Sequence, residues 1–194
     1  RRSAVAMSIN NKGYVGTGDS VAYFKDFWEY DPSSDVWTKV SSIGGSKRNS
    51  AVTFVINGKG YVSGGFDNGD YLNDMWRYDP ATDEWAKMRP IANVSNETYD
   101  DDYTTIKGTG KVGFTINGKG YLATRGMTTG IEVWEYDPAT DLWSEKSNFE
   151  GTTRSDAVGF AIGSRGYVTM GKSSSFYFDD IWAFDPDAEM NEDD

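Results

Sequence analysis

The sequence predicts an all-β chain built from four copies of one antiparallel, four-stranded unit. The stretch "VWEYDPATDLW" at 133–143 recurs as "FWEYDPSSDVW" at 27–37, as "MWRYDPATDEW" at 75–85 and, fading, as "IWAFDPDAEMN" at 181–191. All seven tryptophans fall on that lattice: Trp28, Trp76, Trp134 and Trp182 at spacings of 48, 58 and 48, and Trp37, Trp85 and Trp143 nine residues after the first three. Upstream of each copy runs an apolar segment, a turn and a Gly-Tyr pair, as in "AVTFVINGKGYVSGG". Periods near 50 residues belong to solenoids, arrays or propellers.

The elements of one unit follow in order. Ala51 to Ile56 are apolar on consecutive positions, which predicts a first strand covered on both faces. Asn57-Gly58 and Asn117-Gly118 supply the positive-φ residues of a tight hairpin. Gly60 and Gly120 then stand where the backbone must bend, and Tyr61-Val62-Ser63 and its equivalents make the second strand. In the third strand Trp76 and Tyr78 point one way and Arg77 the other, a pattern that Trp134, Glu135 and Tyr136 repeat. Asp-Pro ends that strand, because proline removes a ladder donor and aspartate can bond the turn backbone. A last strand starts at the second tryptophan. One such sheet cannot bury its own aromatics, so like units must stack against it.

Composition excludes several kinds of chemistry. The 194 residues, 38% hydrophobic and 15% aromatic, suffice for one domain with a real core, expected over residues 1–194. There is no cysteine and no histidine. This removes disulfides, thiolate nucleophiles, imidazole bases and the usual zinc and copper ligand sets. A net charge of −11 opposes nucleic acid and anionic membrane as partners. No apolar run is long enough to span a bilayer, so membrane insertion is not expected.

The Gly-Tyr pairs, the glycine ending the second strand and the paired tryptophans resemble kelch repeats, the four-stranded blades of β-propellers. The resemblance covers Arg1 to about Pro186, with repeats at about 1–47, 48–107, 108–153 and 154–194. It implies a kelch-type β-propeller of four-stranded antiparallel blades with four repeats present. The wording "DFWEYDP" further resembles secreted or cell-surface kelch proteins of Bacteroidetes-like bacteria, which implies an extracellular, cell-surface or periplasmic location. Kelch propellers generally use six or seven blades, and here Asn191 stands where the fourth repeat's second tryptophan would be. A fragment, or an arc completed by missing sequence or by another chain, is therefore expected. Because the chain opens on Arg1 without an initiator methionine, removal of an upstream segment is part of that expectation.

Features copied into every blade read as structural. Asp26, Asp74, Glu132 and Asp180 each precede the third-strand tryptophan by two residues, as acceptors that fix the strand's entry. Arg48 and Arg154 recur and are expected to bridge adjacent blades. The usual Gly-Gly ending the second strand survives only as Gly64-Gly65. Elsewhere its first member becomes Thr17, Arg125 and Met170, before Gly18, Gly126 and Gly171. The resemblance places this corner near the central channel, where Arg125 and Met170 either contact a ligand or fill space.

Function more often resides in what is not repeated. The loops "DSVAYFKD", "FDNGDYLND" and "KSSSFYFDD" follow the second strands, and the resemblance puts them on the face that binds partners. Tyr23, Phe24, Phe66, Tyr71, Phe176, Tyr177 and Phe178 would surround that face with carboxylates between them, an arrangement suited to sugar rings or a peptide. They could equally fold down as loop anchors. The chain's charge favours a cationic or neutral partner over an anionic one. The long connection from Arg89 to Gly110 adds Tyr99 and Tyr103 around Asp100, Asp101 and Asp102, and two N-glycosylation sequons at Asn93 and Asn96. Those three carboxylates are Ca²⁺-type ligands but lack the alternating spacing of a familiar calcium loop, and a solvated acidic loop competes with that reading.

Together these features point to a non-catalytic scaffold that needs no cofactor and recognises a protein or a glycan through its loop face. Among kelch-type enzymes, galactose oxidase needs copper, histidines and a cysteine-modified tyrosine, so its activity cannot reside here. The alternative is a carbohydrate enzyme resembling the sialate-type sugar mutarotases, with acid/base groups among Arg125, Asp100, Asp101 and Asp102.

Overall fold

The computed structural model describes residues 1–90, 108–125, 131–149 and 151–188. Among them there is no helix, so none is long and apolar enough to cross a membrane. The chain is all-β, built of separate antiparallel sheets. Contacts divide it into two compact units: Arg1–Val94 with Lys107–Thr109, and Ser95–Ile106 with Gly110–Asp194.

The first unit holds two four-stranded antiparallel sheets. One runs in the order β1 (Val5–Ile9), β2 (Lys12–Gly16), β3 (Phe27–Asp31), β4 (Val36–Val40). The other is made of β5 (Val52–Ile56), β6 (Lys59–Ser63), β9 (Met75–Asp79) and β10 (Glu84–Met88). A small hairpin of β7 (Phe66–Asp67) and β8 (Asp70–Tyr71) is inserted between β6 and β9. The second unit holds β11 (Val112–Ile116), β12 (Lys119–Arg125), β13 (Ile131–Asp137) and β14 (Leu142–Phe149) in order. Beside them lies a sheet that shows three strands among the described residues, β15 (Val158–Ile162), β16 (Arg165–Thr169) and β17 (Ile181–Phe184).

The repeated eleven residues make the outer hairpin, and the tyrosine and both aspartates of "YDPATD" each have a task. The first aspartate turns the chain: Asp31 Oδ1 accepts from Ser33 N at 2.9 Å, and Asp79 and Asp137 accept from Ala81 N and Ala139 N at 3.0 and 2.8 Å. The second aspartate adopts positive φ at Asp35, Asp83 and Asp141, and accepts the hydroxyl of the repeat's tyrosine at 2.8 to 2.9 Å. That tyrosine faces the second tryptophan across the ladder, with ring centroids about 5 Å apart at Tyr30–Trp37, Tyr78–Trp85 and Tyr136–Trp143. The inner hairpins turn through positive φ at Asn57-Gly58 and Asn117-Gly118, and the first blade uses Asn10-Asn11 instead.

Blades pack through a missing side chain. In the first unit a Cβ on Gly60 would collide with the Met7 sulfur, and in the second a Cβ on Gly166 would collide with the Phe114 ring. In these two blades the glycine of Gly-Tyr is thus required by the neighbour on the preceding blade, and it lies inside the second strand, not at the bend expected from the sequence. Two cores result: Val5, Met7, Ile9, Tyr14, Phe27 and Tyr78 in one, and Val112, Phe114, Ile116, Tyr121, Val133 and Phe184 in the other.

Two expectations are corrected. The first strands are not covered equally on both faces: in β1 burial alternates, with Val5, Met7 and Ile9 buried and Ala6 and Ser8 exposed. The second tryptophans are not uniformly core either, since Trp37 is 51% exposed and Trp143 4%. Trp85 packs on Phe27 of the preceding blade at 4.9 Å, an aromatic neighbour for which Trp37 shows no counterpart among the described residues.

Candidate functional site

The loop face of the first unit is held by two buried devices. The first is an arginine clasp. Arg48, 0% exposed, donates Nη1 to Gly64 O at 2.9 Å and both terminal nitrogens to Asp74, at 2.5 and 2.8 Å. Asp74 Oδ2 also accepts the Trp76 indole N–H at 2.6 Å. Arg1 repeats this with Thr17 O at 3.0 Å and Asp26 at 2.7 Å, and Asp26 takes Trp28 Nε1 at 2.8 Å. In the second unit Arg154 binds Met170 O at 3.0 Å and both oxygens of Asp180. The arginine side chains therefore tie each blade to itself and do not bridge blades, contrary to the sequence expectation. The bridging is done by the Arg48 backbone, whose carbonyl accepts Gly18 N and whose amide donates to Phe24 O. The repeated carboxylates do act as acceptors at the strand entry.

The second device is Asp19, which is buried and accepts Arg2 Nε at 2.9 Å and Asn49 Nδ2 at 2.9 Å. Those hydrogen bonds hold its carboxyl below the usual range. Asp19 thereby joins the loop after β2 to the segment that enters β5.

On this base the loops carry aromatic side chains. Asn68-Gly69, both at positive φ, close the β7–β8 hairpin so that Phe66 and Tyr71 face each other at 5.2 Å, and Tyr23 reaches Phe66 at 6.3 Å. The result is a row of three rings drawn from two blades, with Tyr71 57% exposed. Beside it opens a cleft of about 590 Å³ lined in part by Tyr23, Phe24, Asp26 and Asp67, and by Lys25, Lys39 and Lys47. Asp26 is already neutralised by Arg1, which leaves the cleft with an excess of positive charge. The chain's overall charge does not carry over to this place, so the expectation of a cationic or neutral partner does not follow here. The three lysines come from a loop, from β4 and from the segment beyond it, so no motif joined them in the sequence. A larger cleft of about 680 Å³ lies along β9 and β10, but two of its carboxylates are engaged, Asp83 by Ser41 and Tyr78 and Asp79 by Lys59.

The other predicted residues divide. Phe24 and Phe178 fold down under the guanidinium groups of Arg1 and Arg154, at 4.9 and 4.3 Å, and act as anchors. In the second unit Phe176 and Tyr177 stay open, 70% and 88% exposed, and Met170 is exposed at its positive-φ corner. Arg125 does not occupy a corner. The residue three beyond the Gly-Tyr tyrosine is Thr124, which continues β12 opposite Glu132, and Arg125 follows it opposite Ile131. Tyr99, Tyr103, Asp100, Asp101, Asp102 and Gly126 lie outside the described residues. Among the described residues no cluster of carboxylates has the geometry to hold a metal ion.

Comparison with known proteins agrees with this architecture. A family model described as the KLHDC2/KLHL20/DRC7 Kelch-repeats domain matches residues 1–154. A solved structure titled "Structure of YjhT" superposes with a TM-score of 0.69 at 20% identity, covering 88% of this chain and 58% of that one. The chain thus spans little more than half the length of that structural neighbour, and the likeness is one of fold. No curated protein matches.

Proposed function

Because the chain belongs to the kelch-repeat family, whose propellers serve generally as binding scaffolds, we propose that it is a non-catalytic scaffold that recognises a protein or a glycan through the loop face of its first two blades. The observation that carries this reading is the row Tyr23–Phe66–Tyr71 beside the lysine-lined cleft. Ring faces supply stacking area at low entropic cost, and the lysines orient a partner rich in acceptor oxygens. Asp19 and the arginine clasps keep the loops preorganised, which lowers the cost of binding. The likeness of the "DFWEYDP" wording to secreted or cell-surface kelch proteins supports a location outside the cytoplasm as part of this proposal, which also includes further blades supplied by sequence beyond these residues or by another chain.

Glycan and peptide arrays probed with the wild type and with Tyr71→Ala test the proposal. The expected result is a defined ligand set whose binding falls at least about tenfold in the variant. Binding unaffected by Tyr71→Ala together with Phe66→Ala would sink it. An assay for interconversion of sugar anomers separates the carbohydrate-enzyme alternative, for which turnover lost in Arg125→Ala is the required outcome.

A further inference from the structure

Cations are scarce in this chain and mostly engaged. Against 30 aspartates and glutamates stand 19 lysines and arginines, and Arg1, Arg2, Lys12, Arg48, Lys59 and Arg154 are each held by a carboxylate. Lys25, Lys39 and Lys47 are exceptions. All three are exposed and make no hydrogen bond or ion pair among the described residues, yet they line one cleft of about 590 Å³. Of the two carboxylates that line it with them, Asp26 is paired with Arg1, which leaves Asp67 against three ammonium groups. Like charges gathered in this way draw in counter-ions of the opposite sign, here anions.

The cleft belongs wholly to the first unit. Ile43 N donates to Lys25 O at 3.1 Å and Arg48 N to Phe24 O at 3.0 Å, which lays the loop carrying Lys25 against the connection carrying Lys47. Lys39 stands near the end of β4, opposite Trp28. Its counterpart in the second blade, Lys87, stands opposite Trp76 and stays exposed although Gly44 of the first blade packs on that tryptophan. A blade packed ahead of the first would therefore leave Lys39 open. The main chain is committed where the walls meet: Phe24 N donates to Gly18 O, and Phe66 exchanges both its backbone bonds with Asn49. A peptide added as a further strand needs a free edge, whereas these walls present side chains: three ammonium groups, Ser42, Ser46 and the Tyr23 end of the aromatic row.

We propose, as a deepening that rests on the loop-face reading, that this cleft takes an acidic glycan, a chain of uronate-type sugars whose carboxylates meet Lys25, Lys39 and Lys47. Stiff sugar rings carry their carboxylates at fixed places, so less conformational freedom is lost on binding than by an acidic peptide. Lysine suits this task, because each ammonium has three rotatable donors and accommodates oxygens that approach from different directions. Tyr23 offers a ring face to the sugar beside the charges.

The test is calorimetric titration of the chain with oligomers of polygalacturonate, with the fully methyl-esterified oligomers and polyglutamate as controls. Saturable binding that weakens as salt is added is expected, reduced at least about tenfold when Lys39→Gln and Lys47→Gln are combined. Lys39→Arg with Lys47→Arg keeps the charge and is expected to retain binding. Esterified oligomers or polyglutamate binding as tightly as the uronate would overturn the proposal, since the cleft would then read sugar without charge or charge without sugar. Binding indifferent to the paired glutamine substitutions would overturn it too. A chain that binds no uronate at millimolar concentration but binds a neutral glycan or a peptide through Tyr71 would overturn this inference and leave the loop-face reading standing. Uronate held by the lysines yet indifferent to Tyr71→Ala with Phe66→Ala would support the inference about the cleft and sink the reading of the aromatic row.

Discussion

The second and third blades are written in nearly the same words, "NGKGYVSGG" against "NGKGYLATRG" and "MWRYDPATDEW" against "VWEYDPATDLW", yet they close their loop-face ends differently. In the second, Arg48 and Asp74 form a buried bidentate pair and the chain turns out into the β7–β8 hairpin. In the third no arginine is present at that position, the strands run on, and Glu132 keeps an oxygen without a donor. The difference teaches that the eleven-residue stretch specifies the outer hairpin only. The inner corner is specified separately, by an arginine and an aspartate 26 residues apart in the second and fourth repeats. A blade can drop that second specification and keep its fold.

The comparison can be broken most forcefully at Arg48. Its replacement by alanine leaves Asp74 partly buried without its cation, and should cost about 3–5 kcal/mol in a urea or thermal melt. A loss under about 1 kcal/mol would mean that the clasp is ornamental. Next comes Tyr121→Phe, which removes a buried hydroxyl that donates to Glu135 at 2.6 Å and should cost about 1–2 kcal/mol, because Lys119 still pairs with that carboxylate.

Acid titration sharpens the contrast. The Arg154 guanidinium bonded to Asp180 holds that carboxyl down to about 2. A depressed folded-state pKa contributes stability that is fully present above the unfolded value near 3.8 and is lost as pH falls toward 2. Melting temperature should therefore drop steeply between pH 4 and 2, less so in Arg154→Ala, and an unchanged slope in the variant would refute the linkage. The smallest effect belongs to the third blade: Glu132→Gln should move stability by no more than about 0.5 kcal/mol, because no clasp is broken. Asp74→Asn in the second blade should exceed it clearly by the same measurement.

Much of this was readable beforehand, for reasons that sit in particular residues. Period-2 alternation, Asn-Gly turns and the Asp-Pro ending gave strands and hairpins, because each acts within a few residues of itself. Tyr71, Phe176 and Tyr177 could be singled out as unrepeated aromatics, and they are exposed. The lysines of the cleft could not, because Lys25, Lys39 and Lys47 meet only after β4 and the segment beyond it have folded back. Arg48 was visible as a recurrence, but its partner was misjudged: sequence shows that a residue repeats and does not show whether it reaches across blades or within one. The run-on of β12 was hidden by the later Gly126, which invited a one-residue shift in the alignment.

The clasps also bear on the order in which the chain folds. Each joins residues 25 or 26 apart, so the loop it closes is short and its entropic cost is paid inside one repeat. Assembly can then nucleate in any clasped blade and spread by docking neighbours, as in other repeat chains. Among the described residues the third blade shows no such latch. In amide exchange it should open earliest of the first three blades, although three of its four strands are the longest of the chain.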